Sequence, residues 1–182
     1  MLLFGLLFCA VQIDAVQTFL ARRLTAYLSN ELNTTVNIQG VSIRFVKSIV
    51  LKGFYVQDLH GDTLVYTDEL VVSINDLSTK NHTMVIGKLT LNRGQFNLIH
   101  YKGEEYDNLH FITEYFSSSD TSTSSSPWQI KVNDIVLKDV GFKLDEENDT
   151  AAYSGVNFEH LDLKSINGTL KNFSTVRFKS KL

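Results

Sequence analysis

IVLKGFYV, residues 49–56, alternates apolar side chains at Ile49 and Leu51, breaks step at Lys52–Gly53, and resumes with a second apolar run. Three later segments follow the same pattern: LTLNRGQFNL from residue 89, IVLKDVGFKL from 135 and LDLKSINGTL from 161. Each reads apolar-x-Leu, then Lys or Asn, then a turn-like break, then another alternating run. Alternation marks a strand with one apolar face. The unequal offsets are not those of a strict solenoid. They fit a meander of paired strands in which each repeat extends one long sheet.

Outward from these segments the pattern holds. TVNIQ, VSIRFV, TLVYT and ELVVSIN between Thr34 and Ile74 read as strands, and strand patterns resume at WQIKVNDIVLKDVGFKLD. The run SSSDTSTSSS, residues 117–126, has no apolar residue and reads as a flexible loop. NLHFITEYF, residues 108–116, is the one short helix candidate after residue 32. The expected divisions are a partial membrane anchor over 1–13, an amphipathic helix over 14–32, a first β segment over 33–116, a Ser-rich linker over 117–127 and a continuing β segment over 128–182. The chain ends in mid-pattern at TVRFKSKL, so it is expected to be the amino-terminal part of something longer.

The start of the chain, MLLFGLLFCAVQI, is uncharged and apolar. As a helix it rises roughly 20 Å, short of the ~30 Å hydrocarbon layer. It lacks the basic start and cleavage site of a signal peptide, so it is expected to be an anchor whose first residues are missing. Cys9 is the only cysteine, which excludes a disulfide within the chain and a Cys-based zinc site. Phe8 is too bulky for a lipoprotein signal. Asp14 with Gln17 resembles a capping box. Val16, Phe19, Leu20, Leu24, Tyr27 and Leu28 then recur at helical spacing, with Gln17, Arg22, Thr25 and Ser29 on the other side. This helix plugs one end of a β structure, and Arg22 and Arg23 sit near lipid headgroups; the two readings are compatible. A literal positive-inside count on those arginines would place the rest of the chain in the cytosol.

The 182 residues carry a net charge of −3 with neither sign in blocks, so the basic patch that nucleic acid requires is missing. A catalytic constellation is equally hard to assemble. His60, His82, His100, His110 and His160 form no HxH or HxxxH pair, and there is no phosphate loop, GxSxG elbow or CxxC. DEEND, residues 145–149, lacks the ligand spacing and glycine of a calcium loop and reads as a solvated hairpin tip. QDLHGDTLVY, residues 57–66, places Asp58, His60 and Asp62 on alternate positions, about 7 Å apart if the strand were continuous. Gly61 argues against continuity, and HGDT between two apolar runs reads as a hairpin turn rather than a metal or acid–base site. No cofactor or metal is expected, and no enzymatic activity.

A sheet with one apolar face and few helices either closes on itself as a barrel or sandwich, or leaves the face partly open. An open face of several hundred Å² is an interaction site, and a long apolar trough suits acyl chains. The groove candidates are the alternating sets Val41, Ile43 and Phe45; Leu70, Val72 and Ile74; Leu89 and Leu91; Ile135 and Leu137; Phe142 and Leu144; Leu161 and Leu163. Many of these would instead fill the core if the sheet closed.

The order of an apolar anchor, AVQTFLARRLTAYLSNELNTTVNIQGVSIRF, IVLKGFYVQDLHGDTLVYTDELVVSI and FITEYFSSS…PWQIKVNDIVLKDVGFKL resembles the amino-terminal region of TamB-type translocation and assembly module proteins of Bacteroidetes, members of the AsmA-like superfamily. The resemblance covers essentially the whole chain. It implies a mostly β fold: a membrane and amphipathic helix followed by a long curled antiparallel sheet, the β-taco groove of bridge-like lipid-transfer proteins. It further implies an inner-membrane anchor with the bulk of the chain periplasmic, and a non-enzymatic role in phospholipid transport between inner and outer membranes. The alternative it carries is a scaffold for outer-membrane β-barrel assembly with an Omp85-class partner. The implied partners are phospholipid acyl chains and the inner membrane.

Overall fold

The computed structural model of the chain describes residues 14–44, 47–81, 83–117, 129–148, 155 and 157–171. Helix α1 (Asp14–Glu31) precedes strands β1 (Val36–Asn37), β2 (Gly40–Arg44), β3 (Ser48–Gln57), β4 (Thr63–Ser78) and β5 (Thr83–His100). Helix α2 (His110–Ser117) follows, then β6 (Gln129–Glu146) and β7 (His160–Lys171). All seven strands form one sheet in the order β1-β3-β4-β5-β6-β7, with β2 also pairing with β3. Among the described residues it is open, neither barrel nor sandwich. The proposed anchor over 1–13 lies outside the described residues, as do most of the Ser-rich linker and Phe45. No described helix is long and apolar enough to cross a membrane.

The sheet is not antiparallel throughout, as a meander would be. β5 and β6 run parallel from Thr83↔Gln129 to His100↔Glu146. Strand β5 ends at His100 and β6 starts beside Thr83, so the chain must cross back along the length of the sheet before β6 begins. A parallel neighbour needs such a long connection, and residues 101–128, which contain α2, supply it. The β segments on either side of the Ser-rich stretch are therefore adjacent parts of one sheet.

The turn-like break in the repeat is not a turn. It is a single left-handed residue inside a continuing strand: Gly53 (φ 55) in β3, Arg93 (φ 48) in β5, Asp139 (φ 54) in β6 and Ser165 (φ 53) in β7. The ladder places Gly53, Asp68, Arg93 and Asp139 opposite one another, with Ser165 two rows further along, past the Val140–Ile166 pair. They form a crease across the sheet. Its consequence is parity. Leu51 and Phe54 are three residues apart, which in a regular strand would put them on opposite faces. Instead Phe54 packs with Leu51 in one core cluster and with Val56 in the next. The left-handed residue absorbs the odd step, as a bulge does, and the apolar face continues past it.

Neighbouring side chains repair the ladder at the crease. The buried Thr67 Oγ1 lies 2.9 Å from the Asn92 carbonyl, to which it donates, and accepts from Asn92 N–H at 3.3 Å. Asn167 Oδ1 accepts from Asp139 N–H at 3.0 Å.

Helix α1 packs Leu20, Ala21, Leu24 and Leu28 onto Ile38, Val41 and Leu51. Its polar and apolar sides differ from the expected stripe. Thr25 and Ser29 face the sheet, because the chain from Val36 to Ile38 has backbone groups that need partners. Thr25 Oγ1 accepts from Ile38 N–H at 3.1 Å, and Ser29 Oγ accepts from Val36 N–H at 3.0 Å and donates to Val36 O at 3.1 Å. Phe19 and Tyr27 are turned outward, each 57% exposed. The helix ends in a left-handed Asn33 (φ 50), with Thr34 N–H donating back to Ser29 O at 3.2 Å, the geometry of a Schellman cap. Replacing Ser29 by alanine removes one donor and one acceptor for the Val36 backbone. A loss of about 1–2 kcal/mol is expected in urea unfolding, against a change within about 0.5 kcal/mol for the exposed Thr18→Ala.

Candidate apolar groove

Residues directly opposite in a ladder share a face, so the register gives the composition of each face row by row. One row runs Ile43, Ile49, Val72, Leu89, Ile135, Leu170. The next runs Val41, Leu51, Leu70, Leu91, Leu137 and closes on Gly168. Beyond the crease come Phe54, Thr67, Gly94, Val140 and Ile166, then Val36, Val56, Val65, Phe96, Phe142 and Leu163. Leu98, Leu144 and Leu161 end the set. In these rows the one polar side chain is Thr67, whose hydroxyl is satisfied. The intervening rows are mixed or polar, for example Lys52, Glu69, Asn92, Lys138, and Ser48, Ser73, Lys88, Asp134, Lys171.

Every described member of the sequence-derived set except Ile74 lies on this one face; Ile74 pairs with Ile86, across a register shift that takes it out of these rows. The sequence reading missed Val56, Val65, Phe96, Leu98, Val140, Ile166 and Leu170. Six of these stand inside the four repeat segments, and treating the break as a one-residue phase slip would have found them.

The helices cover this face unevenly. Helix α1 lies over Val41, Leu51 and Leu70, and Leu109, Phe111 and Ile112 of the α2 region join Val36, Val56, Leu64 and Phe96. Neither helix-bound cluster includes Leu89, Leu91, Ile135, Leu137, Leu161 or Leu163. Leu163 is 46% and Leu170 50% exposed, and the apolar side chains at 89, 91, 135 and 137 are half-buried. Three strands at ~4.8 Å spacing and about ten residues at ~3.3 Å each give a strip on the order of 10 by 30 Å, most of it under neither described helix. About 300 Å² is the size of the largest apolar patch on a typical monomer, which is often functional.

The polar chemistry gathers at one end of the sheet and is structural. Asp58, 1% exposed, accepts from His60 N–H (3.0 Å), Asp62 N–H (2.9 Å), Tyr101 Oη (2.8 Å) and Asn108 Nδ2 (2.9 Å). Gly61 (φ 89) completes the turn between β3 and β4. Burial pushes the Asp58 carboxyl up, but the bonds from Asn108, Tyr101, Asp62 and His60 together hold it below the usual carboxylate range. Tyr101 is pushed well above an ordinary phenol by burial and by donating to Asp58 and Asp62. His60 does not join the two carboxylates. It stacks on Tyr101 at 3.7 Å, and its Nε2 meets Glu104 at 3.0 Å. Among the described residues no group of three His, Cys, Asp or Glu side chains is placed to hold a metal ion.

His100 carries a pH dependence. Its Nε2 lies 2.8 Å from the Glu104 carbonyl oxygen and its Nδ1 2.7 Å from Glu146 Oε2. Only the imidazolium donates to both, and these two bonds, the Glu104 one foremost, raise its pKa above the ordinary imidazole value. The tie between the β5–α2 loop and β6 is therefore complete below the unfolded-state pKa and lost as pH rises through the higher folded one. In an NMR titration His100 is expected to titrate above an exposed histidine, with amide exchange of residues 101–108 accelerating across that step. His100→Phe should abolish the step.

No family model, curated protein or solved structure matches the chain.

Proposed function

We propose that this protein is a non-enzymatic acyl-chain carrier, a segment of a β groove of the TamB and AsmA-like kind that conducts phospholipid between membranes. The observation that carries the reading is the in-register apolar face, continuous through the crease and, among the described residues, under neither helix over most of β5, β6 and β7. A trough of that width and length takes hydrocarbon by burial alone, at roughly 25 cal/mol per Å² removed from water, and needs no reacting group. In this reading the chain is held at the inner membrane by its apolar start, with its bulk in the periplasm.

Photoreactive residues at Val72 and Leu137 are expected to crosslink phospholipid in cells while Lys138, on the opposite face, stays silent. Equal labelling of the three positions would sink the groove.

A scaffold for outer-membrane β-barrel assembly is the second reading, and β7 favours it. Among the described residues this strand pairs on one side alone, and an edge strand with Leu163 and Leu170 exposed is a template for adding another. That reading predicts co-purification with an Omp85-class protein and no bound lipid.

A further inference from the structure

The outward face of α1 is the second unusual surface. Leu20, Ala21, Leu24 and Leu28 face the sheet, which leaves Thr18, Phe19, Arg22, Arg23, Ala26 and Tyr27 exposed. A solvent-facing helix stripe normally mixes charges of both signs. This one has two aromatic rings and two guanidiniums, and no carboxylate occurs between Ala15 and Asn30. Phe19 and Tyr27 are each 57% exposed, and the Arg23 guanidinium sits 5.5 Å from the Phe19 ring centroid. At the far end Tyr115 Oη donates to Glu31 at 3.0 Å and also hydrogen-bonds the Tyr27 hydroxyl, so the Tyr27 ring is exposed with its hydroxyl engaged. The helix thus turns its leucines, with the engaged hydroxyls of Thr25 and Ser29, toward the sheet and an aromatic-basic stripe away from it.

Aromatic rings with a polar edge and arginines that extend their charge past apolar stems are the side chains that settle at a bilayer's headgroup level. Immediately before the helix, residues 1–13 run without a charge, so α1 begins where a membrane-embedded segment would emerge. We propose that the Phe19–Arg23–Tyr27 face of α1 lies on the headgroups of an anionic bilayer and fixes the angle at which the sheet leaves the membrane. The occupant is lipid: two arginines with no carboxylate between Ala15 and Asn30 complement anionic phosphate at such a surface. This rests on the membrane attachment in the proposed function but is independent of the groove.

The full chain, with Cys9→Ser as background, would be reconstituted into phosphatidylethanolamine vesicles containing a minority of phosphatidylglycerol. Single cysteines replacing Phe19, Tyr27 or Lys138 would carry an environment-sensitive dye, with quenching by headgroup-level nitroxide lipids as the readout. Several-fold stronger quenching is expected at 19 and 27 than at 138. It should drop to the level at 138 when Arg22 and Arg23 are both changed to glutamine, with circular dichroism unaltered. Quenching at 19 and 27 equal to that at 138 in the parent would overturn the proposal, whether the face is then covered by a protein or by water. Strong quenching at 19 and 27 that survives the arginine changes would also overturn it, since residues 1–13 alone would then hold the helix there. Failure of the groove reads out separately, as loss of lipid crosslinking at Leu137 while the dyes stay quenched.

Discussion

Asp58→Ala is expected to remove about 4 kcal/mol of stability, a large part of the ~5–15 kcal/mol typical of a domain. Asp58 is buried, and its carboxylate accepts four hydrogen bonds that tie the β3–β4 turn to the loop leaving β5. Alanine leaves one N–H of the Asn108 amide, whose other bond to Asn97 O remains, and two turn N–H groups without acceptors. Each orphaned buried donor costs about 1–3 kcal/mol. Asp62→Ala, which takes from Tyr101 a bond that Asp58 also offers, should cost about 1 kcal/mol or less. Urea unfolding of the two variants beside the parent separates them. The sign with pH follows from the lowered pKa. The carboxylate's contribution is present above the unfolded-state value and disappears as pH falls through the folded one. Asp58→Ala should therefore show a flatter acid limb than the parent.

Gly53→Val is the second large effect, expected at 3 kcal/mol or more. Gly53 holds φ +55, and a Cβ there would run into the Gln39 side chain, which would have to swing aside. A left-handed conformation costs an ordinary L-residue about 1–2 kcal/mol, and branching at Cβ adds to it. The converse substitution at the same level of the sheet, Asp139→Gly, relieves that strain and should leave stability unchanged or raise it by up to about 1 kcal/mol. Thermal unfolding of the pair distinguishes a crease that must be left-handed from one that merely tolerates it.

Alternation in IVLKGFYV and its three relatives made the strands, their single apolar face and about half of the apolar residues on it legible, because period two is a local property of the chain. The crease was visible as a break but not as a phase slip, since Gly, Arg, Asp and Ser at the four positions share no chemistry. What they share is a backbone angle that the ladder imposes. The parallel pairing of β5 with β6 was not legible either. It depends on where a long connection returns, and no residue pattern records that. For α1 the helix was legible but its rotation was not: hydroxyls at Thr25 and Ser29 look solvent-facing until the unpaired Val36–Ile38 backbone is beside them. The HGDT turn was readable from Gly61, whereas the burial of Asp58 came from Tyr101 and Asn108, which are distant in sequence.

The central claim is that one face of the sheet carries hydrocarbon and keeps its side through the crease. A photoreactive residue stepped along β6 tests it directly. Phospholipid labelling is expected at Ile135, Leu137, Phe142 and Leu144 and none at Val136, Lys138 or Lys143, an alternation that slips by one residue at Asp139, while the buried Val140 stays unlabelled. Labelling in an unbroken period of two, or at all positions alike, would contradict it.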